Sequence, residues 1–375
     1  MSRLSETLRG LGLSADEIAS KTRLAPERVR AILRGDEAPM SELRAISTGL
    51  RVPLRILASG KRSSDDNERL GLLFRNVRQT HPSYDVTVER IATFVEAAIR
   101  VLPPADHPPL WLDDFIIRDE TYEEATRLAL LFRSIFCADR MDDPLHHLPQ
   151  LLDHAGIVTA RLRFSQYEGV SLIAENQCFI FVSPRFVGRM LFTFAHELGH
   201  IIAHHREGHA PIFERASHIG NFKKRTRSEG FVDAFASNLL LPDTAIARAL
   251  QTIRDHFQIR SPVIGDLEIL FVARYFGVSF DVAARRCEEL ELLPAGGAAS
   301  LAETLRKEYG SPEKRADAIG LPERLPVRFP PVSEQLGAAI GQAINRGDIS
   351  IGWAADRFGL SLGEILASHA PAGEL

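Results

Sequence analysis

Two histidines and a glutamate within five residues are the part of this sequence best suited to chemistry. His196 and His200 are four residues apart, so on a helix their imidazoles lie on one face, about one turn apart, and can bind one metal ion. Glu197 stands beside them and can accept a proton from a water molecule. This spacing is the HExxH pattern, which on a helix is typical of zinc peptidases.

The residues around this pattern predict a helix that is buried in a core. Apolar side chains flank it at Leu191, Phe192, Phe194, Leu198, Ile201 and Ile202. Burying a titratable group is costly unless it pairs with something or binds a metal, which favours a metal site here. The alternative is a core helix in which the histidines and the glutamate are incidental, because such short patterns also arise by chance.

A third metal ligand is needed, and two classes of peptidase supply it differently. A metzincin would have histidine at position 206 and glycine at position 203, whereas this chain has Arg206 and Ala203, which excludes that class. The other class supplies a carboxylate from a second helix, in the pattern ExxxD. Glu229 and Asp233 have this spacing. We therefore expect Glu229 to be a ligand and Asp233 to orient a ligand histidine.

The HExxH and ExxxD patterns, together with the segment FAxxLLLP that ends at Pro242, resemble the ImmA/IrrE family of bacterial metallopeptidases. The family typically has a second glutamate where this chain has Phe231 and an alanine where it has Val232. The resemblance implies a zincin-like peptidase core with Glu197 as its catalytic residue and Zn²⁺ bound by His196, His200 and Glu229. Mn²⁺ or Fe²⁺ could occupy the same donors.

The resemblance also implies a substrate class. Members of the family act on Xre-type repressors, so a zinc-dependent endopeptidase that cleaves a specific transcriptional repressor, in a stress or prophage-type response, is expected. The alternative is a DNA-binding transcriptional regulator whose metallopeptidase-like domain is a sensor or dimerisation unit with little hydrolysis. A regulator that acts by DNA binding alone is a third hypothesis. Glu197 favours the enzyme, because a purely structural metal site has no use for that acid.

Residues 1–58 predict a compact unit of five helices. Ser14 and Glu17 have the spacing of a capping box at the start of the second helix. The succession of helices resembles the Xre, or lambda-repressor, class of helix-turn-helix domain, in which the second helix of the motif enters the major groove of duplex DNA. On that analogy, DNA contacts would come from Arg28, Arg30 and Arg34. A helical module that docks a protein is the alternative, and a homodimer is possible.

The rest of the chain predicts a helical protein with a small sheet. A polar linker at 59–68 precedes a zincin-like domain at 69–295, and a mainly helical domain of unknown role follows at 296–375. Three short strands with period-two alternation come directly before the HExxH helix, and Cys178–Ser183 is the closest candidate for a substrate-binding edge strand. The predicted fold class is mainly α with a small antiparallel β-sheet, plus an all-α helix-turn-helix domain.

Bulk composition limits the function classes. At 375 residues with a formal net charge of −4, the chain is too long for one core and is not a polycation, so DNA contact must come from a local patch. Three cysteines without a CxxC pattern predict buried thiols in a reducing compartment: Cys137, Cys178 and Cys287. Because no run of 18 apolar residues and no signal core occur, we expect a cytoplasmic protein without a membrane partner.

Overall fold

The computed structural model describes residues 4–5, 8, 14–36, 38–50, 85–162, 167–204, 211–215 and 226–367. These residues form sixteen α-helices and one four-stranded sheet, which confirms the predicted fold class of mainly helical protein with a small sheet. The predicted linker at 59–68 and the helix predicted at Leu54–Ala58 lie outside the described residues. Among the described helices, none has the length and apolar character needed to cross a bilayer.

The N-terminal unit contains three described helices, α1 (Ala15–Thr22), α2 (Pro26–Arg34) and α3 (Met40–Leu50). The predicted capping box is present: the Ser14 hydroxyl accepts from the Glu17 backbone N–H at 3.2 Å, and the Glu17 carboxylate accepts from the Ser14 N–H at 2.8 Å. The apolar faces of these helices share one core, which includes Ile18, Val29, Ile32 and Ile46. Side-chain periodicity in this segment was therefore sufficient to predict the three helices that the structure describes here.

Thirteen further helices follow, and two short 3-10 turns lie at Leu110–Asp114 and Ala138–Arg140. The helices are α4 (Asp85–Val101), α5 (Tyr122–Phe136), α6 (Leu148–His154), α7 (Val187–His204), α8 (Arg227–Leu240), α9 (Asp243–His256), α10 (Asp266–Phe276), α11 (Phe280–Glu289), α12 (Gly297–Tyr309), α13 (Pro312–Ala318), α14 (Glu334–Asn345), α15 (Ile351–Phe358) and α16 (Leu362–Ala367). The predicted metal-binding patterns lie on α7 and α8.

The sheet is mixed, and its strand order is β1-β3-β2-β4. Its strands are β1 (Ile157–Arg161), β2 (Tyr167–Ala174), β3 (Gln177–Val182) and β4 (Ile212–Arg215). The predicted antiparallel arrangement holds for β2 with β3 and with β4, but β1 pairs parallel to β3. Glu175 and Asn176, both at positive φ, make the tight turn of the β2–β3 hairpin, so β1 adds to the far side of β3.

The edges of this sheet differ from the prediction. The candidate edge strand at Cys178–Ser183 was wrong, because this segment is β3 and pairs with β1 on one side and β2 on the other. The outer edge of β1 is covered by a later segment: Arg161 N–H donates to the Pro331 carbonyl at 2.9 Å, and Ser333 N–H donates to the Thr159 carbonyl at 2.8 Å. Within the described part of the chain, β4 therefore forms the edge opposite β1.

Alternation along the strands divides the apolar residues between two cores. Ile180 and Val182 of β3 face the core that contains α7 and α8, whereas Phe179 and Phe181 face the core that contains α4 and α14. Successive side chains of a strand point to opposite faces, so each face of the sheet carries its own layer of helices. Helix α7, which carries the HExxH pattern, is buried on one of these faces.

The helices after residue 295 belong to the same two cores. Ala302 and Leu305 of α12 join the core around α7, and Leu336 and Ile340 of α14 join the core on the other face of the sheet. The predicted division at residues 295 and 296 therefore does not coincide with a gap between cores in the described residues. The domain limits themselves stay a prediction.

Candidate metal centre

Helix α7 presents the three residues of the HExxH pattern inside the protein. His196, Glu197 and His200 are 1%, 0% and 1% exposed. Each of the flanking apolar residues named from the sequence is also buried, which confirms the prediction of a core helix. Because three titratable side chains share this apolar environment, each needs a compensating partner.

Helix α8 supplies the acidic partners. Its first turn is capped by the Thr226 hydroxyl, which accepts from the Glu229 backbone N–H at 3.2 Å. The two helices approach closely at Gly199, where an added Cβ would lie 3.1 Å from the Val232 Cβ and 3.2 Å from a ring carbon of Phe235. Glycine between the two histidines therefore lets α8 pack directly against the face of α7 that carries them.

Three potential ligand atoms converge between these helices. The Nε2 atoms of His196 and His200 are 3.1 Å apart. The Glu229 carboxylate lies 3.5 Å from the Nε2 atom of His196 and 3.7 Å from that of His200. The three candidate ligand atoms lie within 4.8 Å of one another. The chain thus brings together all three residues that the sequence suggested as metal ligands.

Asp233 lies behind this group, as its spacing from Glu229 suggested. Its Oδ1 atom is 2.8 Å from the Nδ1 atom of His196, so a ring that donates from Nδ1 to this carboxylate can offer the lone pair of its Nε2 atom to a metal ion. Two imidazole nitrogens and a carboxylate oxygen that converge on one point need a proton or a metal cation between them. This donor set, with two nitrogens and one oxygen, fits the ligands that Zn²⁺ takes in catalytic sites.

The charged groups around His196 also favour a cation at this site. Burial alone would lower the pKa of its imidazole, but the carboxylates of Asp233, Glu229 and Glu197 outweigh burial and raise that pKa well above its usual value. The negative groups around this ring therefore favour a positive charge at the point where the ligand atoms meet.

Glu197 has a different environment, although it neighbours His196. Burial raises the pKa of its carboxyl to about 7, against the opposing effect of the charge on His196. Its carboxylate lies against the backbone of β2 at Gly169, where an added Cβ would be 2.0 Å from the Oε1 atom. A carboxylate whose pKa is close to neutrality can both accept and return a proton at neutral pH.

Sequence reasoning missed two residues of this centre. Gly169 carries no pattern that would connect it with Glu197, which lies 28 positions later. His204, the last residue of α7, received no role from the sequence; its Nδ1 atom is 2.9 Å from the Nδ1 atom of His200. The available signal was the spacing of four residues between His200 and His204, one further turn along the same face.

The three arginines predicted to contact DNA all lie on α2. Arg28 donates from Nε to both carboxylate oxygens of Glu42 at 3.0 and 3.1 Å, and Arg30 pairs with Asp16 at 2.9 Å, while Arg34 is exposed at the last position of the helix. Ion pairs at an exposed surface contribute little free energy, so phosphates could replace these acidic partners. Contact with DNA stays a prediction.

Two comparisons with known proteins bear on this centre. A search of curated proteins found no match to the chain. Residues 152–288 match the family model of peptidase family M78, described as the IrrE N-terminal-like domain. The matched residues include the four strands, both helices of the metal centre and its candidate ligands. This part of the chain is therefore similar to the IrrE N-terminal-like domain, which supports a metallopeptidase-like domain here.

Proposed function

We propose that the protein is a zinc-dependent endopeptidase with Glu197 as its catalytic residue and with His196, His200 and Glu229 as its metal ligands. The observation that carries the proposal is the convergence of two imidazole nitrogens and a carboxylate oxygen beside a buried glutamate. A purely structural metal site does not need a further acid, beyond the ligands, that is held next to them. The match of residues 152–288 to peptidase family M78 supports the same chemistry.

The residues divide the chemistry between them. A bound Zn²⁺ ion would supply Lewis-acid chemistry, activating water and polarising the scissile carbonyl. Glu197 would accept a proton from the attacking water and pass it to the leaving amine, and a pKa of about 7 suits both transfers. Asp233, which accepts from the Nδ1–H of His196, would fix the orientation of that imidazole and raise its basicity.

An extended protein segment is the substrate form that the sheet supports. Peptides commonly bind by adding a strand to a sheet edge, where backbone hydrogen bonds hold them in extended form. The edge of β1 is covered by residues 331–333, whereas β4 forms the other edge of the described sheet. β4 pairs with β2, the strand whose Gly169 touches Glu197, so a peptide beside β4 would run along the strand pair nearest the catalytic residue.

The protein that is cut is proposed to be a specific transcriptional repressor of the Xre type, in a stress or prophage-type response. Support comes from the occurrence, on one chain, of an IrrE N-terminal-like domain and an N-terminal helical unit that resembles an Xre helix-turn-helix. The helical unit would bind duplex DNA and so bring the peptidase to an operator that its substrate occupies. This arrangement calls for a narrow substrate range.

Metal analysis together with a cleavage assay tests the proposal. Purified wild-type protein should contain about one equivalent of zinc, and Glu229→Ala should lose it. Wild-type protein should cut an Xre-type repressor encoded beside it, whereas Glu197→Gln should keep the zinc and cut at least about 100-fold more slowly. Equal cleavage by wild type and Glu197→Gln would refute this catalytic assignment and favour a regulator that acts without hydrolysis.

A further inference from the structure

The ligand candidate His200 has a hydrogen-bonded neighbour on its own helix. His204 lies one turn further along α7, and the Nδ1 atoms of the two rings are 2.9 Å apart. On its other side, the Nε2 atom of His204 is 2.7 Å from the Ser228 hydroxyl and 3.2 Å from the Glu120 carboxylate. A line of polar groups therefore runs from the metal centre, through two imidazoles, to a carboxylate.

Only one arrangement of hydrogens lets this line work with a metal ion. For Nε2 of His200 to bind a metal, its Nδ1 atom must carry the hydrogen and donate it to Nδ1 of His204. His204 must then carry its own hydrogen on Nε2, which is the atom that faces Ser228 and Glu120. In this arrangement each imidazole N–H donates to an acceptor, and the line ends at the Glu120 carboxylate.

We propose that His204 and Glu120 are positioning residues for His200, as Asp233 is for His196. The proposal rests on the proposed function, since it presumes that His200 binds a metal ion. Asp233 reaches its imidazole directly, at 2.8 Å, whereas Glu120 acts through His204. In both cases a carboxylate behind the ligand ring fixes its tautomer and orientation and makes the other ring nitrogen a stronger ligand.

The surroundings of His204 and Glu120 support a role in the site more than a role in the core. Their side chains are 15% and 32% exposed, so both are only partly buried and neither is part of the apolar core. Glu120 comes from the segment before α5, 84 positions before His204. Arg227, at the start of α8, holds that segment by pairing with Asp119 and by donating to the Glu120 carbonyl at 3.1 Å. The contact thus joins both ligand helices to a third segment.

Zinc affinity, measured by competition with a chelator on the full chain, tests the proposal. His204→Leu removes the acceptor for His200, so we expect zinc affinity to fall about 10- to 100-fold. His204→Asn should lose less, because the asparagine oxygen lies near the position of the imidazole Nδ1 atom and can accept the same hydrogen bond. Glu120→Ala should weaken affinity, and Glu120→Gln, which keeps an acceptor oxygen, should recover part of the loss.

Two further variants calibrate the measurement. Asp233→Asn should weaken zinc binding on the His196 side by a similar factor, about 10- to 100-fold. His154→Asn changes an exposed histidine of α6, whose Nδ1 atom contacts the Gln150 carbonyl, and should leave zinc affinity unchanged. The visible spectrum of the Co²⁺-substituted protein gives a second readout, because it reports ligand geometry directly and does not respond to a loss of packing elsewhere.

The outcomes separate this proposal from the one on which it rests. Reduced zinc affinity and an altered Co²⁺ spectrum in His204→Leu, with partial recovery in His204→Asn, would support it. Wild-type affinity and an unchanged spectrum in His204→Leu would overturn it while leaving the proposed peptidase intact. A wild-type protein that binds neither Zn²⁺ nor Co²⁺ would instead overturn the proposed function, and this proposal with it.

Discussion

Glu229 and Asp233, two carboxylates four residues apart on α8, face different atoms of the same imidazole. Glu229 approaches the Nε2 atom of His196 at 3.5 Å, and Asp233 contacts its Nδ1 atom at 2.8 Å. One turn of helix separates the two acids, so each carboxylate approaches a different nitrogen of the ring. At the residue scale, position along the helix therefore decides which acid can act as a ligand and which can only orient one.

Another carboxylate responds to pH in a predictable way. Glu124 on α5 is 9% exposed and accepts from Arg127 at 2.8 and 2.9 Å and from the Arg118 backbone N–H at 3.0 Å. The hydrogen bond from Arg127 is the main cause that lowers its pKa to about 2, despite the opposing effect of burial. Its contribution to stability is therefore complete above the usual carboxyl pKa and is lost as pH falls towards 2.

We predict that Glu124→Gln lowers the free energy of unfolding by about 1 kcal/mol at pH 7, with the difference shrinking as pH falls from about 4.5 to about 2. Urea unfolding of both proteins at pH 7, 5 and 3 measures this. Glu123→Gln, at the preceding position of the same helix, serves as the control and should be within about 0.5 kcal/mol of wild type. A difference for Glu124→Gln that stays constant down to pH 3 would contradict the assignment.

At the scale of elements, the contact between β2 and α7 positions the carboxylate of Glu197, the proposed catalytic residue. Gly169 lies where any side chain would meet Glu197, since an added Cβ would be 2.0 Å from its Oε1 atom. The backbone of β2 therefore packs directly against the carboxylate of Glu197. The clash falls on the end of a side chain and not on backbone, so the protein can relieve it by moving Glu197.

Gly169→Ala should for this reason fold and bind metal normally but lose activity by about 100-fold, because the carboxylate is displaced by about 1 Å. Gly230→Ala is the matched control: nothing lies within 4 Å of an added Cβ, and alanine favours a helix. Cleavage rate and zinc content of both variants are the measurements. Equal activity in Gly169→Ala and Gly230→Ala would show that the close packing of Gly169 against Glu197 is not needed for cleavage.

The end of α8 opposite Glu229 is held by two buried guanidinium groups. Arg133 donates from Nε to the Leu239 carbonyl at 2.7 Å, and Arg286 donates to the Leu241 carbonyl at 3.1 Å. Carbonyls at the end of a helix lack partners within the helix, and positive groups there interact favourably with its dipole. These contacts fix the position of the helix that carries Glu229 and Asp233.

Arg286→Met should lower the free energy of unfolding by about 3 kcal/mol, because the Leu241 carbonyl and the Asn238 side chain lose a buried charged donor. Arg285→Met makes the same change at the preceding position, where the side chain is 33% exposed and its pair with Glu289 is 4.0 Å long, and should cost less than about 1 kcal/mol. Urea unfolding compares the two variants. A similar loss of unfolding free energy in both variants would mean that the loss in Arg286→Met does not come from the buried hydrogen bonds of Arg286.

At the scale of the whole molecule, net charge matters for the proposed DNA contact. The chain carries a formal charge of −4, and two of its three candidate arginines pair with acids of the N-terminal unit. Weak binding with a shallow salt dependence is therefore expected, since the logarithm of affinity falls with salt in proportion to the number of phosphates that are contacted.

We predict that Arg34→Ala weakens binding to duplex DNA to the same extent whatever its sequence. The slope of log affinity against log salt concentration should fall in magnitude by about 1. Glu197→Gln should bind DNA like wild type, because the catalytic residue belongs to another core. Fluorescence anisotropy with a labelled duplex, at several salt concentrations, measures both. If the wild-type protein binds no duplex in 50 mM salt, the N-terminal unit is a protein-docking module, which was the alternative prediction.

Local patterns were enough to predict which residues come together at the centre. His196, His200, Glu229 and Asp233 are separated by whole helical turns within their own helices, and helical periodicity is a property of the sequence itself. For the same reason the capping box at Ser14, the strands before α7 and the buried cysteines were predicted and are confirmed. The sequence is therefore informative about features that depend on residues close together along the chain, such as helices, caps and strands.

Tertiary structure decided everything that depends on residues distant along the chain. It made β3 an inner strand, set the Gly169 backbone against Glu197, and brought Glu120 to His204 across 84 positions. No periodic pattern encodes such contacts, because they follow from how whole elements pack and which strand edges are covered. The sequence by itself determined which residues can bind a metal, and only the packing of α7, α8 and the sheet decided how those residues are held and oriented.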